Sequence, residues 1–93
     1  MARYAVLLTY GPDAERRLAI RPRHRDYLKQ LAQRGKLHEA GPWTDDSGAL
    51  LIYEADDEEE VRALLAADPY AEGGDGVVGN LEIKGWHRAV AAK

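Results

Sequence analysis

A carboxylate interrupts the apolar stripe of one predicted helix. Val61, Leu64 and Leu65 lie at positions i, i+3 and i+4, the spacing of an amphipathic helix, and Asp68 takes the i+7 position of the same stripe. Because burial of a lone charge is costly, Asp68 requires a partner or an open cleft. Pro69 is expected to end this helix, since proline lacks an N–H group and disfavours helical geometry in the preceding residue.

A histidine takes the equivalent place in an earlier predicted helix. Its stripe contains four side chains at positions i, i+3, i+4 and i+7: His24, Tyr27, Leu28 and Leu31. The helix is predicted to begin near Pro22, a residue favoured at the first helical position, and to run to Arg34 before Gly35. The charged segment 13–20 is predicted to approach this helix, with room for a short helical turn capped by Asp13.

The remaining elements predict an α+β fold. Four segments have the β-branched, aromatic and alternating character of strands: 3–10, 36–40, 49–55 and 77–86. Asp56 or Asp57 is expected to cap the second helix, which has three glutamates in its first turn. The resulting order, β-α-β-β-α-β, predicts a four-stranded antiparallel sheet with both helices on one face.

This topology brings the histidine and the carboxylate to one rim of the sheet. The first and third strands run antiparallel, so the start of the first helix lies at the same end as the finish of the second. His24 and Asp68 therefore meet at that rim. Tyr10, at the end of the first strand, and the segment 41–43, at the end of the second, reach the same rim.

A histidine–aspartate pair is suited to acid–base chemistry. A carboxylate that binds one ring nitrogen fixes the tautomer and orients the other nitrogen as base or acid. An unperturbed imidazole titrates at about pH 6.5, close to working pH. No serine or cysteine is positioned by motif as a nucleophile, which favours proton abstraction, elimination or isomerisation over acyl transfer and leaves hydrolysis by an activated water open. The alternative is a structural pair that only ties two helix ends together.

Composition limits the classes of protein to which the chain can belong. Its 93 residues suit one domain, 1–93, with 45% apolar and 31% charged residues. A net charge of −3 argues against a nucleic-acid partner, and the absence of cysteine excludes disulfides and thiolate metal sites. No apolar run has the roughly 18 residues of a membrane span and no signal peptide is visible, so a cytoplasmic location without a membrane partner is expected. His38 and His87 lack ligand-like neighbours, and no metal or other cofactor is predicted.

Several short motifs, in this order and spacing, resemble the YCII-related family over nearly the whole chain. They are Arg21-Pro22-Arg23-His24, Tyr27-Leu28, Gly35-Lys36-Leu37, Ala40-Gly41-Pro42, Gly48-Ala49-Leu50, Asp68-Pro69-Tyr70 and Trp86. The resemblance implies a ferredoxin-like fold that pairs into a dimeric α/β barrel, and an active site built on a dyad of His24 and Asp68. It also implies an activity, since the best-defined reaction of the family is dehydrochlorination of a chlorinated hydroxyhydroquinone.

Further residues are predicted to contact the substrate at the same rim. Tyr10, Gly41, Pro42 and Tyr70 are the uncharged candidates, with Tyr70 favoured as a wall rather than as a second acid. Among the arginines near the first helix, Arg21 or Arg23 is predicted to hold an anionic substrate. The other members of this cluster are predicted to form a solvated helix face: Arg16, Arg17 and Arg25.

Two functions follow from this sequence. The first is a small dimeric enzyme that uses His24 and Asp68 on a small organic molecule; the second is a non-catalytic ligand-binding or regulatory module that uses the same pocket. A homodimer is predicted because the first and third strands are apolar on both faces, whereas two helices cover only one. The segments 45–48 and 72–76, rich in glycine and acidic residues, are predicted to be exposed and mobile.

Overall fold

Four strands and two α-helices follow one another in the order β-α-β-β-α-β in the computed structural model, which describes residues 1–92. The elements are β1 (Ala2–Tyr10), α1 (Ala14–Gln33), β2 (Leu37–Pro42), β3 (Gly48–Ala55), α2 (Glu58–Ala66), a 3₁₀ segment (Pro69–Gly76) and β4 (Val78–Trp86). The strands form one sheet in the order β2-β3-β1-β4, and each neighbouring pair is antiparallel. The predicted ferredoxin-like α+β fold is confirmed.

The core lies between one face of the sheet and the two helices. Val6 and its cross-strand partner Leu51 lie on this face, where Leu31 of α1 and Val61 of α2 join the same buried cluster. Alternation along each strand sends the intervening side chains to the opposite face, here called the open face. Its central pairs are Ala5 with Ile52 and Leu7 with Leu50.

Helix α1 is eight residues longer at its start than the sequence predicts. It begins at Ala14, where Asp13 caps it by accepting a hydrogen bond from the backbone N–H of Arg16 at 3.1 Å. Pro22 therefore lies inside the helix, and the prediction of a start near Pro22 was wrong. An internal proline costs about 3 kcal/mol, but the first turns also bury Ile20 against Tyr70. This tertiary packing explains why the helix continues through the proline.

Helix α2 ends before the carboxylate that its stripe was predicted to include. The last residue of the helix is Ala66, and Asp68 has an extended backbone with φ −69° and ψ 133°. Pro69 disfavours helical geometry at the residue before it, which accounts for the break. Asp68 instead caps the 3₁₀ segment that follows, so its assignment to the α2 stripe was wrong.

The two segments predicted to be exposed loops differ from one another. Gly48 is buried at the start of β3, where a side chain would collide with the carbonyl oxygen of Leu8, so its predicted exposure was wrong. Residues 72–76 belong to the 3₁₀ segment, which kinks at Gly74 with φ +59°. That left-handed conformation favours glycine. Mobility of both segments stays a prediction.

Candidate active site

His24 and Asp68 form a buried pair although 44 residues separate them along the chain. The Nδ1 atom of His24 lies 2.7 Å from Oδ1 and 2.9 Å from Oδ2 of Asp68. Only 8% of His24 and 5% of Asp68 are exposed. An ionised carboxylate only accepts hydrogen bonds, so Nδ1 must carry the proton between them. This geometry leaves Nε2 as the ring nitrogen available for chemistry.

The backbone of the 3₁₀ segment holds the carboxylate in place. The Oδ1 atom of Asp68 accepts a hydrogen bond from the backbone N–H of Tyr70 at 2.9 Å, the contact typical of a helix cap. One carboxylate therefore caps the segment and orients the imidazole of His24.

Two tyrosine rings extend the histidine into an aromatic stack. The His24 and Tyr70 rings are parallel within 3° and their centroids are 3.7 Å apart, while Tyr10 meets Tyr70 edge-on at 6.4 Å. Burial raises the pKa of the Tyr10 and Tyr70 hydroxyls above the usual value of 10.0, and the nearby Arg17 cation opposes the shift in both cases. Both phenols therefore carry their protons at neutral pH.

A cavity of about 370 Å³ adjoins this stack, within the range of small-molecule sites. Helix α1 and strand β2 form much of its lining. Six of the residues predicted from the sequence line it: Tyr10, Arg21, His24, Gly41, Pro42 and Tyr70. Among the described residues, Nε2 of His24 has no hydrogen-bond partner. Asp68 lies behind His24 and outside the lining.

Arg23 lies away from the cavity. Its guanidinium makes two hydrogen bonds to the carboxylate of Glu72, at 2.9 Å and 3.2 Å, on the outside of the protein. The hydrogen bonds and charge of Arg23 lower the pKa of Glu72. Of the two arginines predicted to hold an anion, the structure brings only Arg21 to the cavity.

Arg17 lines the cavity, although the sequence interpretation placed it on a solvated face. It is 6% exposed, its guanidinium lies 4.0 Å above the centre of the Tyr10 ring, and its Nη2 atom lies 3.3 Å from Oδ2 of Asp46. Arg17 stands seven residues before His24, so the stripe that contains His24 extends to it once α1 is known to begin at Ala14. The misplaced helix start concealed this signal.

Residues 1–92 contain neither a candidate metal site nor a candidate membrane span. Within this range no cluster of three or more histidine and acidic side chains is arranged to hold a metal ion. Neither α-helix has the length and apolar character that would carry it across a membrane.

Two solved structures share this fold. The 5-chloro-2-hydroxyhydroquinone dehydrochlorinase from Burkholderia phenoliruptrix, in complex with 2,5-dihydroxybenzoquinone, superposes with a TM-score of 0.79 at 24% identity, over 94% of this chain and 95% of that one. A putative antibiotic biosynthesis monooxygenase from Bacteroides thetaiotaomicron superposes with a TM-score of 0.62 at 14% identity, over 96% and 91%.

The superpositions show a shared fold, whereas the family of the chain is shown by a match of its sequence to a family model. No curated protein matches the chain. The model of the YCII-related domain matches residues 2–87, which is most of the sequence and includes both members of the buried pair. The chain therefore belongs to the YCII-related family.

Proposed function

We propose that this protein is a small enzyme that uses His24 and Asp68 for acid–base chemistry on a small organic molecule. The observation that carries the proposal is the arrangement of the imidazole. Nδ1 is bound to a buried carboxylate, and Nε2 has no partner among the described residues while the ring lines a cavity. A histidine held in this way is oriented to take or give a proton at Nε2.

The lining of the cavity favours proton transfer over acyl transfer. The described lining residues include no serine, threonine or cysteine to act as a nucleophile. In an elimination, Nε2 takes a proton from the substrate, the electron pair forms a new double bond, and the leaving group departs with its own bonding pair. Asp68 stabilises the imidazolium that forms. An isomerisation uses the same first step, and a hydrolysis uses Nε2 to activate a water.

The comparisons suggest which molecules to test first. The dehydrochlorinase that shares the fold acts on a chlorinated hydroxyhydroquinone, and it was studied with a dihydroxybenzoquinone. Loss of hydrogen chloride from such a ring is an elimination, and a cavity of about 370 Å³ suits a single substituted ring. Hydroxylated, halogenated rings are therefore the first substrate class to examine.

We further propose that two copies of the chain pair through their open faces. Leu7 and Leu50 lie opposite one another on this face. Two half-exposed tryptophans add apolar area, since Trp86 is the cross-strand partner of Arg3 and Trp43 lines a shallow pocket with Leu50. An antiparallel sheet leaves a face to water when that face is polar. The apolar centre of the open face therefore favours a homodimer.

A non-catalytic ligand-binding module is the second candidate. Asp68 caps the 3₁₀ segment through the backbone N–H of Tyr70, so the pair has a structural role that needs no reaction. In this case the cavity binds a small molecule and releases it unchanged.

A substrate screen separates the two functions. Halogenated hydroxyquinols, phenols, lactones and halogenated acids are incubated with the wild type, His24→Ala and a control, His87→Ala. His87 is exposed and follows β4, outside the cavity. The enzyme predicts turnover that falls about 10²- to 10⁴-fold in His24→Ala and is kept in His87→Ala. Binding by the wild type without turnover of any compound supports the module instead.

A further inference from the structure

Arg17 has far more hydrogen-bonding capacity than the structure uses. A guanidinium carries five N–H donors. Among residues 1–92, the Nη2 atom of Arg17 lies 3.3 Å from Oδ2 of Asp46, and its guanidinium also contacts the Tyr70 hydroxyl. Its Nε atom is buried and has no partner among residues 1–92. The side chain as a whole is only 7% exposed. A buried cation with so few hydrogen bonds is unusual, because burial of unpaired charge is costly.

Asp46 is a weak counter-ion for this arginine. The 3.3 Å separation exceeds the roughly 2.7–2.9 Å of a strong charge-assisted hydrogen bond. The Asp46 side chain is 61% exposed, so water competes for it. Asp46 also lies in the connection between β2 and β3, with a left-handed φ of +59°. A carboxylate supplied from within the cavity would therefore compete successfully for Arg17.

The position of the guanidinium is nevertheless fixed. It lies 4.0 Å from the centre of the Tyr10 ring, within the range of a cation–π contact. Tyr10 contacts Tyr70, and Tyr70 stacks on His24. All four side chains line the cavity. A continuous set of contacts thus joins the arginine to the free imidazole.

The rest of the cavity is positively charged in a negatively charged protein. Three more cationic residues, Arg21, Arg25 and Lys29, line it, against the carboxylates of Asp46 and Glu39. The whole chain has a net charge of −3. Clustered charge of one sign in a cleft raises the local concentration of ligands of the opposite sign.

We propose that the cavity binds a small organic anion, a carboxylate or a phenolate, through Arg17, and that this anion displaces Asp46. The inference rests on the proposed function in that it names the class of molecule brought to His24. The guanidinium binds the charged group and the rest of the ligand lies along the aromatic stack towards Nε2. Asp46 neutralises Arg17 while the cavity is empty.

A binding experiment with matched probes tests this inference. Benzoate, phenylacetate and 2,4-dinitrophenolate, with benzamide, phenylacetamide and 2,4-dinitroanisole as their uncharged counterparts, are titrated at neutral pH into the isotope-labelled full chain. Binding is followed by ¹H–¹⁵N NMR, including the Nε–H signals of the arginines. At least one anion should bind about ten-fold more tightly than its uncharged counterpart, the gain typical of a charge-assisted hydrogen bond.

Three variants assign the effect to Arg17. Arg17→Gln should remove the preference for the anion, whereas Asp46→Asn should strengthen anion binding about three-fold or more because it removes the competing carboxylate. Asp46 is exposed, so its variant tests the inference even if Arg17→Gln folds poorly. Arg62→Gln is the control, since Arg62 lies on α2, is paired with Glu58 and is outside the cavity.

The outcomes separate this inference from the proposed enzyme. The inference is overturned if, at ligand concentrations up to about 10 mM, no anion binds more tightly than its uncharged counterpart. This holds even if turnover of some neutral substrate is found. Anion binding that is unchanged in Arg17→Gln, or weakened in Asp46→Asn, also overturns it. Anion binding that depends on Arg17 without turnover of any compound supports the inference and counts against the enzyme.

Discussion

The imidazole of His24 lies flat on the phenol ring of Tyr70, with ring centroids 3.7 Å apart and planes within 3°. The backbone N–H of the same tyrosine donates to Asp68, whose carboxylate binds His24 Nδ1. The segment 68–70 therefore supports the imidazole through both its ring face and Nδ1. A half-turn of the ring would keep the stack but break the hydrogen bond to Asp68, and intermediate rotations would break both contacts, so the two contacts together favour one direction for Nε2.

Asp68→Asn should change the tautomer of His24. The carboxylate only accepts a hydrogen bond, which forces the proton of the neutral ring onto Nδ1, whereas an amide both donates and accepts. In the variant, a population with the proton on Nε2 should appear, and any turnover should fall with it. Side-chain ¹⁵N NMR at alkaline pH, where imidazoles are neutral, distinguishes the two tautomers.

The control for this change is Asp75→Asn, which removes one carboxylate from the exposed part of the 3₁₀ segment. It should leave the His24 signals unchanged. Identical ¹⁵N shifts of His24 in Asp68→Asn and the wild type would mean that the carboxylate does not set the tautomer.

Tyr53→Phe and Tyr27→Phe should have opposite effects on stability. The Tyr53 hydroxyl is buried without a hydrogen-bond partner among the described residues, whereas the Tyr27 hydroxyl donates to the carbonyl of Leu64 at 2.6 Å. An unpaired buried polar group costs roughly 1–3 kcal/mol. Chemical denaturation should show a gain of about 1 kcal/mol in the free energy of unfolding for Tyr53→Phe and a loss of about 1 kcal/mol for Tyr27→Phe. A loss in both variants would indicate that the Tyr53 hydroxyl has a partner.

Tyr53 should also reduce stability in strong alkali. Burial, followed by the negative charge of Asp68, raises the pKa of its hydroxyl far above the usual value of 10.0. The folded protein therefore keeps a proton that the unfolded chain releases above pH 10.0, so the free energy of unfolding falls as the pH rises past this value. The fall should be shallower in Tyr53→Phe when unfolding is measured from pH 8 to 11. Equal slopes in the two proteins would contradict this assignment.

Glu60 should stabilise the protein at neutral pH and lose this effect in acid. Its carboxylate accepts a hydrogen bond from the backbone N–H of Asp56 at 2.8 Å and another from Lys36 Nζ at 2.7 Å. These contacts, the backbone one first, lower the pKa of Glu60 below the usual 4.5. Its stabilisation is therefore present above pH 4.5 and disappears as the pH falls through the lowered pKa of the folded state.

The measurement is the difference in unfolding free energy between the wild type and Glu60→Gln as a function of pH. It should be largest near neutrality and shrink below about pH 4.5. Glu59→Gln removes a charge from the same turn of α2 without breaking a described hydrogen bond, and it serves as the control. A difference in unfolding free energy that grows in acid would contradict the stabilising role assigned to the ionised Glu60 carboxylate.

Leu7→Glu should disrupt the proposed homodimer. The substitution places a charge at the centre of the open face, opposite Leu50. Light scattering at micromolar concentration should give a dimer mass for the wild type and a monomer mass for Leu7→Glu. Glu59→Lys, on an exposed part of α2, should remain dimeric. A monomeric wild type would remove the dimer from the proposal.

The sequence predicts the topology of this protein better than the limits of its elements. The strand and helix order follows from periodicity, and right-handed crossovers then bring His24 and Asp68 to one rim. Pro22 misled the prediction because proline is favoured at a helix start, and only tertiary packing of the preceding turns reveals the longer helix. The reason given for the position of Asp68 was incorrect, since it caps the 3₁₀ segment and does not continue α2.

The arginines of α1 show a second limit of prediction from the sequence. Arg17 and Arg23 are six residues apart in one charged helix, and composition does not distinguish them. Arg17 is buried at the cavity, whereas Arg23 is paired with Glu72 at the surface. The difference depends on the helix face that each residue occupies, which requires the correct helix start, and on the position of Glu72 in the 3₁₀ segment.

The place of β2 at the edge of the sheet affects how the site can evolve. Its residues His38 to Pro42 are exposed and line the cavity, and Leu37 is the one buried residue of the strand. The dyad and the aromatic stack belong instead to β1, α1 and the 3₁₀ segment. If the proposed function holds, substitutions in β2 would reshape the wall that faces the ligand while His24, Asp68 and the core stay intact. The proposed acid–base pair could then be combined with different substrates.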